Sequence, residues 1–272
     1  MADFSVDYTV YYRWQWFARE LWRKDFRATK RASATAFASL VNERGLAAAP
    51  VLDCSSGLGQ KTIVIREAGA NVEGSDKCAF AVEHAAKFAA EEGYPDLRFF
   101  ESAWAGLPRA AGKRYAAIFN DALSWISSDD EMAASLKGLH DVLLPGGVLA
   151  YMGALPGSAP ESKTLLDEEW RGILRDSKRI VVGFHHVQGG AEVTEIQVAE
   201  KGPDYIDRHH IYVVEAETGA PRLESTTMRC VYKWDWDVIE PFLRRAGFRA
   251  FSTKDFTGDG GRPFQLVVAE RD

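Results

Sequence analysis

The spacing of apolar positions changes character along the chain. Over residues 7–45 apolar and aromatic side chains recur at intervals of three and four with charges between them. That spacing predicts two helices with a break near Asp25. From residue 50 the pattern alternates. Short apolar runs at 50–53, 70–75, 97–100, 115–119 and 148–153 read as strands, and the stretches 57–68, 78–92 and 131–144 as helices. Strands alternating with helices predict right-handed βαβ units and an open parallel sheet. Over 155–233 the pattern shifts again. After a linker rich in Pro, Gly and Ser, β-branched runs at 179–187, 192–198, 209–216 and 225–232 predict an inserted antiparallel meander. A helix at 236–246 and strands near 248–252 and 264–270 return to the main sheet.

The expected fold class is therefore α/β: a Rossmann-like, doubly wound, mostly parallel sheet with an N-terminal helical lid and an inserted antiparallel β subdomain. The expected segments are 1–48 for the lid, 49–154 for the ligand-binding core, 155–233 for the β insertion and 234–272 for the C-terminal helix and strands.

Composition narrows the classes. The 272 residues hold 33 Lys and Arg against 39 Asp and Glu, a net charge of −6, with 46% apolar and 26% charged residues. This is ordinary globular usage, and the acidic balance disfavours nucleic acid and anionic membrane as partners. Cys54, Cys78 and Cys230 are too scattered for a disulfide framework or a CxxC metal site. The N-terminal residues lack an apolar signal core, and the longest apolar stretch, 142–154, is too short to span a bilayer. A cytoplasmic protein acting on a small molecule is the expectation, with a homo-oligomer left open. Aromatic residues crowd the first 30 positions, a cluster in search of a role.

The chemistry concentrates in Val51-Leu-Asp-Cys-Ser-Ser-Gly-Leu-Gly-Gln60, where a strand ends in an acidic residue and a glycine-rich turn opens a helix. Asp76 follows 23 residues after Asp53 at the end of the next strand. Glycines there admit close backbone approach to a ligand, and a carboxylate after the second strand can accept from a ribose diol. A dinucleotide site would show GxGxxG. Here Thr62 replaces the third glycine, and Asp53 would repel a pyrophosphate while attracting an ammonium. S-adenosylmethionine fits this arrangement better than NAD.

These residues resemble class I S-adenosylmethionine-dependent methyltransferases. More narrowly, VLDCSSGLGQ, GSDKCAFAVEHA, FNDALSWI, YKWDW and the closing FQLVVAERD are similar to segments of the glycine and sarcosine N-methyltransferase group. The resemblance implies S-adenosylmethionine as cofactor. It implies that Asp53, Ser55, Gly57 and Gly59 hold the methionine part and that Asp76 binds the ribose hydroxyls, with Lys77 beside the adenine. Ala103 stands where the family usually has Asp or Asn facing the adenine amino group, and Trp104 would cover the ring. Asn120 and Asp121 would lie beneath the sulfonium, and Arg31 would clamp the donor carboxylate through its planar fork.

One departure bears on the acceptor. Glycine-methylating relatives carry an arginine after the fifth strand, where this chain has Ala154. The resemblance then gives no glycine-sized acceptor, and a larger amine is expected, its pocket lined by Tyr11, Tyr12, Trp16, Trp125, Ala154 and His186, with Trp14 also a candidate. Asp121, His185 and Tyr12 are the candidate catalytic groups. Two histidine pairs, His185-His186 and His209-His210, fall on expected strands, where alternation turns one of each pair inward. A metal held by one histidine of each pair and Glu195 would need geometry that spacing does not supply, and no metal is expected. Transfer to oxygen or carbon, an NAD(P) oxidoreductase and a non-catalytic donor-binding module are the competing readings.

Overall fold

The computed structural model describes residues 6–153, 155–156, 178–203, 205–216, 219–231, 234–258, 261 and 263–272. The chain forms two compact units, one running from Asp25 through the first five strands and resuming at Trp234, the other joining the residues up to Lys24 with the described strands between 178 and 231.

The larger unit is built on a seven-stranded sheet. Its strands are β1 (Val51–Asp53), β2 (Val72–Asp76), β3 (Phe99–Glu101), β4 (Tyr115–Asn120), β5 (Leu143–Met152), β10 (Phe248–Thr257) and β11 (Pro263–Arg271), ordered β10-β11-β5-β4-β1-β2-β3. The five strands from β3 to β5 run parallel, while β11 is antiparallel to both β5 and β10. This is a Rossmann-like mixed sheet. The chain builds outward from β1 to β3, then crosses to β4 on the other side of β1. The crevice at the carboxyl ends of β1 and β4 is thus the switch point at which such sheets bind ligands.

Helices cover both faces. Helices α4 (Arg31–Glu43), α5 (Gln60–Glu67) and α6 (Ala79–Glu91) bury Phe37, Ile63 and Phe88, and the Phe37 ring lies 5.1 Å from that of Phe119 in β4. Helices α7 (Leu107–Ala110), α8 (Asp129–Asp141) and, after the β insertion, α9 (Trp236–Ala246) bring Leu107, Leu136, Leu139 and Leu243 against Leu52, Ile118 and Leu149 of the sheet. Ser128 starts α8 by accepting from the Glu131 N–H at 3.2 Å, and Asp235 does the same for α9 through Val238 at 3.2 Å.

The smaller unit carries the antiparallel sheet β6 (Lys178–Gln188), β7 (Ala191–Lys201), β8 (Tyr205–Ala216) and β9 (Arg222–Val231), paired in sequence order. Helix α1 (Tyr8–Phe17), followed by α2 (Arg19–Arg23), packs on one face of it. Trp14 joins Val193, Tyr212 and Val214 in a core cluster, and its indole N–H donates to Glu224 Oε2 at 2.9 Å. Buried beside this cluster, Glu195 meets His210 Nδ1 at 2.8 Å and accepts from Gln197 at 2.9 Å. A bulge at Gly183 in β6 makes room for it, since a Cβ on that glycine would lie 2.0 Å from the Glu195 carboxylate.

Several boundaries differ from the sequence expectation. The helical stretch 7–45 is broken into α1, α2, α3 (Phe26–Thr29) and α4, and the break expected near Asp25 coincides with the border between the units. Strand β5 begins at Leu143, five residues before the expected 148–153, and carries Pro145-Gly146-Gly147 within it. Strands β8, β9 and β10 are longer than expected, because their solvent-facing charged positions mask the apolar run.

Candidate functional site

Four strand ends converge at the switch point of the larger unit. The chain leaves β1 at Asp53, which is fully buried. Its Oδ2 accepts from the Thr62 hydroxyl at 2.7 Å, and Oδ1 accepts from the Ser55 N–H at 3.3 Å. Burial dominates its titration and pushes it up to about 6, against the pull of Thr62 and Lys61. A buried carboxylate held in this way favours a cation beside it.

The turn that follows needs glycine. Gly57 and Gly59 have φ of 51° and 88°, and a Cβ on Gly59 would stand 3.2 Å from both Ala85 and Phe99. Asp76, at the end of β2, fixes this turn by accepting from the Gly57 N–H at 3.0 Å and from the Cys78 N–H at 2.9 Å. A carboxylate oxygen carries two lone pairs, so accepting from the backbone is compatible with accepting from a ligand hydroxyl.

At the end of β4, Asn120 is fully buried, its amide donating to Cys54 Sγ at 3.2 Å and its oxygen accepting from the Ala122 N–H at 2.8 Å. Asp121 accepts from the Ser55 hydroxyl at 2.8 Å, and its other oxygen pairs with the Lys61 ammonium. On the β3 side, the Trp104 indole donates to the Cys54 carbonyl at 2.6 Å, so this ring is pinned to the β1 loop, with its body against the core under α8. Ala103 and Lys77 are exposed at the same rim.

One unit therefore gathers Asp53, Ser55, Gly57, Gly59, Asp76, Asn120, Asp121 and Trp104 around one crevice. Arg31 opens α4 and is exposed, and Trp125 lies half-buried in the turn after β4. Sequence reasoning missed Lys61 and Thr62. The signal was the cation in the first turn of α5, where the helix dipole disfavours positive charge.

The remaining candidates sit in the smaller unit. The Tyr11 ring meets His210 edge-on at 5.0 Å, and burial, then the charge of Glu195, pushes its hydroxyl up to about 12. Tyr12 packs on Tyr11 at 5.2 Å, and Trp16 lies under the Arg19 guanidinium at 4.5 Å. Alternation turns His186 and His210 toward the α1 side of the sheet. His185 is exposed instead, with Nδ1 3.0 Å from the Thr194 hydroxyl. His186 stacks edge-on with Phe17 at 5.4 Å. Among the described residues no cluster of His, Cys, Asp and Glu could hold a metal ion. Ala154 lies outside the described residues.

Comparison with known families settles the class of this core. Residues 51–147 match the family described as a methyltransferase domain. The methyltransferase likeness thus spans the core from β1 into β5, about a third of the chain. No curated protein sequence matches the chain. Among solved structures, the sugar N-methyltransferase KedS8 from Streptoalloteichus is 19% identical, with a TM-score of 0.64 over 100% of this chain and 95% of its own. DesVI from Streptomyces venezuelae is 17% identical, with a TM-score of 0.63 over 99% of this chain and 100% of its own. CalS10 from Micromonospora echinaspora, an amino pentose methyltransferase solved with its methyl donor bound, is 17% identical, with a TM-score of 0.57 over 88% of this chain and 90% of its own. At these identities the likeness is one of fold. The methyltransferase core's own groups fit S-adenosylmethionine: buried carboxylates for a cationic tail, an acidic residue after β2 for a diol, and a glycine turn open to close approach.

Proposed function

We propose that the protein is an enzyme that transfers the methyl group of S-adenosylmethionine to the nitrogen of a small amine, larger than glycine and of the amino-sugar class. The observation that carries the donor assignment is the acidic crevice at the ends of β1, β2 and β4, with Asp53 wholly buried at its floor. The acceptor assignment is supported by two things. Ala154 replaces the arginine through which glycine-methylating relatives hold a carboxylate. Neighbours of the same fold also include a sugar N-methyltransferase and an amino pentose methyltransferase.

Bound S-adenosylmethionine supplies an activated methyl on a sulfonium, so the protein's task is alignment and exclusion of water. Asp53, Ser55 and the Gly57–Gly59 turn hold the amino-acid tail, Asp76 takes the ribose hydroxyls, and Lys77, Ala103 and Trp104 border the adenine. Asn120 and Asp121 lie beneath the reacting centre. An amine acceptor must lose its proton before its lone pair can react, and a desolvated pocket favours that loss by disfavouring the charged form. In the larger unit Trp125, half-buried in the turn after β4, offers an aromatic face, which attracts a cationic amine by about 0.5–2 kcal/mol.

The test is an assay for the demethylated donor, S-adenosylhomocysteine, across amino sugars, other amines, amino acids, phenols and keto acids. Turnover confined to amines supports this reading. Turnover of phenols or keto acids alone would reassign the enzyme to oxygen or carbon.

A further inference from the structure

A single lysine stands among the carboxylates of this crevice. Lys61, the second residue of α5, passes its ammonium over the Phe119 ring at 5.7 Å to reach Asp121, and its side chain is only 19% exposed. Apart from the carboxylates, its surroundings oppose a cation there. The first turn of a helix prefers negative charge, and its free N–H groups face the same way. Burial, then the nearby charge of Lys30, pushes the ammonium down to about 7, with Asp53 opposing. Packing alone would be served better by methionine or leucine, which fill similar volume without a charge to desolvate.

The arrangement of charges supplies the missing reason. Asp53 and Asp121 place two carboxylates on one side of the crevice, and Lys61, with Lys30 near enough to act on it, places positive charge beside them. That is the complement of a zwitterion, an ammonium and a carboxylate on one carbon. We propose that Lys61 recognises the α-carboxylate of the donor's amino-acid tail, releasing Asp121 to the tail's ammonium. This rests on the reading that S-adenosylmethionine binds in this crevice.

Charges balance through the exchange. One Lys61–Asp121 pair opens, two pairs replace it, and no buried charge is left alone. Asp121 stays positioned throughout, because Ser55 donates to its free oxygen at 2.8 Å and the Asp121 N–H donates back to Ser55 Oγ at 3.2 Å. The exposed Arg31, implied by family resemblance to hold the same carboxylate, would make its contact in water, where an ion pair is worth less.

The experiment is calorimetry with two ligands, S-adenosylhomocysteine and its decarboxylated analogue, which keeps the amine and lacks the carboxylate. Lys61→Met should weaken S-adenosylhomocysteine by roughly 10- to 100-fold, the worth of a charge-assisted hydrogen bond. It should leave the decarboxylated analogue within about twofold of wild type. Lys61→Arg should keep most of the preference for the carboxylate and serves as the second variant if the methionine protein fails to fold. Equal losses for both ligands, or no loss for either, would overturn the proposal. Failure of the wild-type protein to bind either ligand would instead sink the donor assignment itself.

Discussion

The Gly57 N–H donates to Asp76 Oδ2 at 3.0 Å, tying the glycine turn after β1 to the end of β2. The carboxylate expected to hold the ribose is thus also the one that shapes the loop for the methionine tail. Asp76→Ala removes both functions, and S-adenosylhomocysteine binding should fall by more than about 100-fold, beyond the worth of one charged hydrogen bond. Gly57→Trp should abolish binding by strain at a φ of 51° and by filling the crevice. Calorimetry that finds wild-type affinity in both variants removes the donor from this crevice.

Asp53 couples stability to function in opposite senses. Its carboxyl is pushed up to about 6, chiefly by burial, whereas in the unfolded chain it titrates near the ordinary aspartate value of 3.8. Between those values the folded state holds the proton more tightly, so folding is penalised as pH rises through that window, and the penalty is complete above about pH 6. Asp53→Asn should therefore stabilise the donor-free protein at pH 7 by on the order of 3 kcal/mol, the scale of that shift. The amide can still meet Thr62 and Ser55. Donor binding should weaken in the same variant, and in wild type it should weaken below about pH 6 as the carboxylate protonates. A melting temperature that falls in Asp53→Asn contradicts this account.

How much of this was legible in the sequence differs between the two units. The βαβ alternation and the strand-end motif specify the larger unit because a parallel sheet buried on both faces leaves continuous apolar runs, and glycine and aspartate can serve few purposes at such a turn. Lys61 was hidden by its surroundings, since a lysine early in a helix reads as solvated surface until its neighbours are known. Period two in β6 and β8 foretold one inward histidine in each pair. Which one faces inward depends on register, and the bulge at Gly183 shifts that register within β6. The aromatic run of α1 was read as pocket lining. At Trp14 and Phe17, at least, it packs against the antiparallel sheet.

Glu195 and His210 form the most deeply buried ionisable pair of the smaller unit, 1% and 3% exposed. Burial alone would raise the Glu195 carboxyl, but its bonds with His210 and Gln197 outweigh this and hold it below its ordinary value. A folded value below the unfolded one gives stability that is complete above the ordinary carboxylate range and lost as pH falls through the folded value. Glu195→Ala leaves His210 Nδ1 without its carboxylate partner in the core and should cost about 1–3 kcal/mol at pH 7. Melting curves from pH 7 to pH 3 check the sign. The wild-type advantage over Glu195→Gln should shrink toward acid pH, and an advantage that grows there would refute it.

The last expectation concerns what the enzyme refuses. A glycine molecule offers a pocket little besides its carboxylate and its amine, so an enzyme that methylates it must hold that carboxylate by a fixed cation. In the glycine-methylating enzymes that the sequence resembles, an arginine after the fifth strand does this, and the aligned residue of this sequence is Ala154. Losing a bidentate charge-assisted contact of about 1.5–3 kcal/mol lowers kcat/KM by roughly 10- to 100-fold. Loss of orientation at the reacting nitrogen lowers it further, since misplacement by 1 Å alone can cost about 100-fold. Together these lower glycine turnover by roughly 10³- to 10⁴-fold. Mass spectrometry of reactions containing millimolar glycine should therefore show negligible sarcosine, while an amino sugar in the same assay yields methylated product. Efficient sarcosine formation would mean that another cation of this chain anchors the carboxylate, and the acceptor class proposed here would have to be given up.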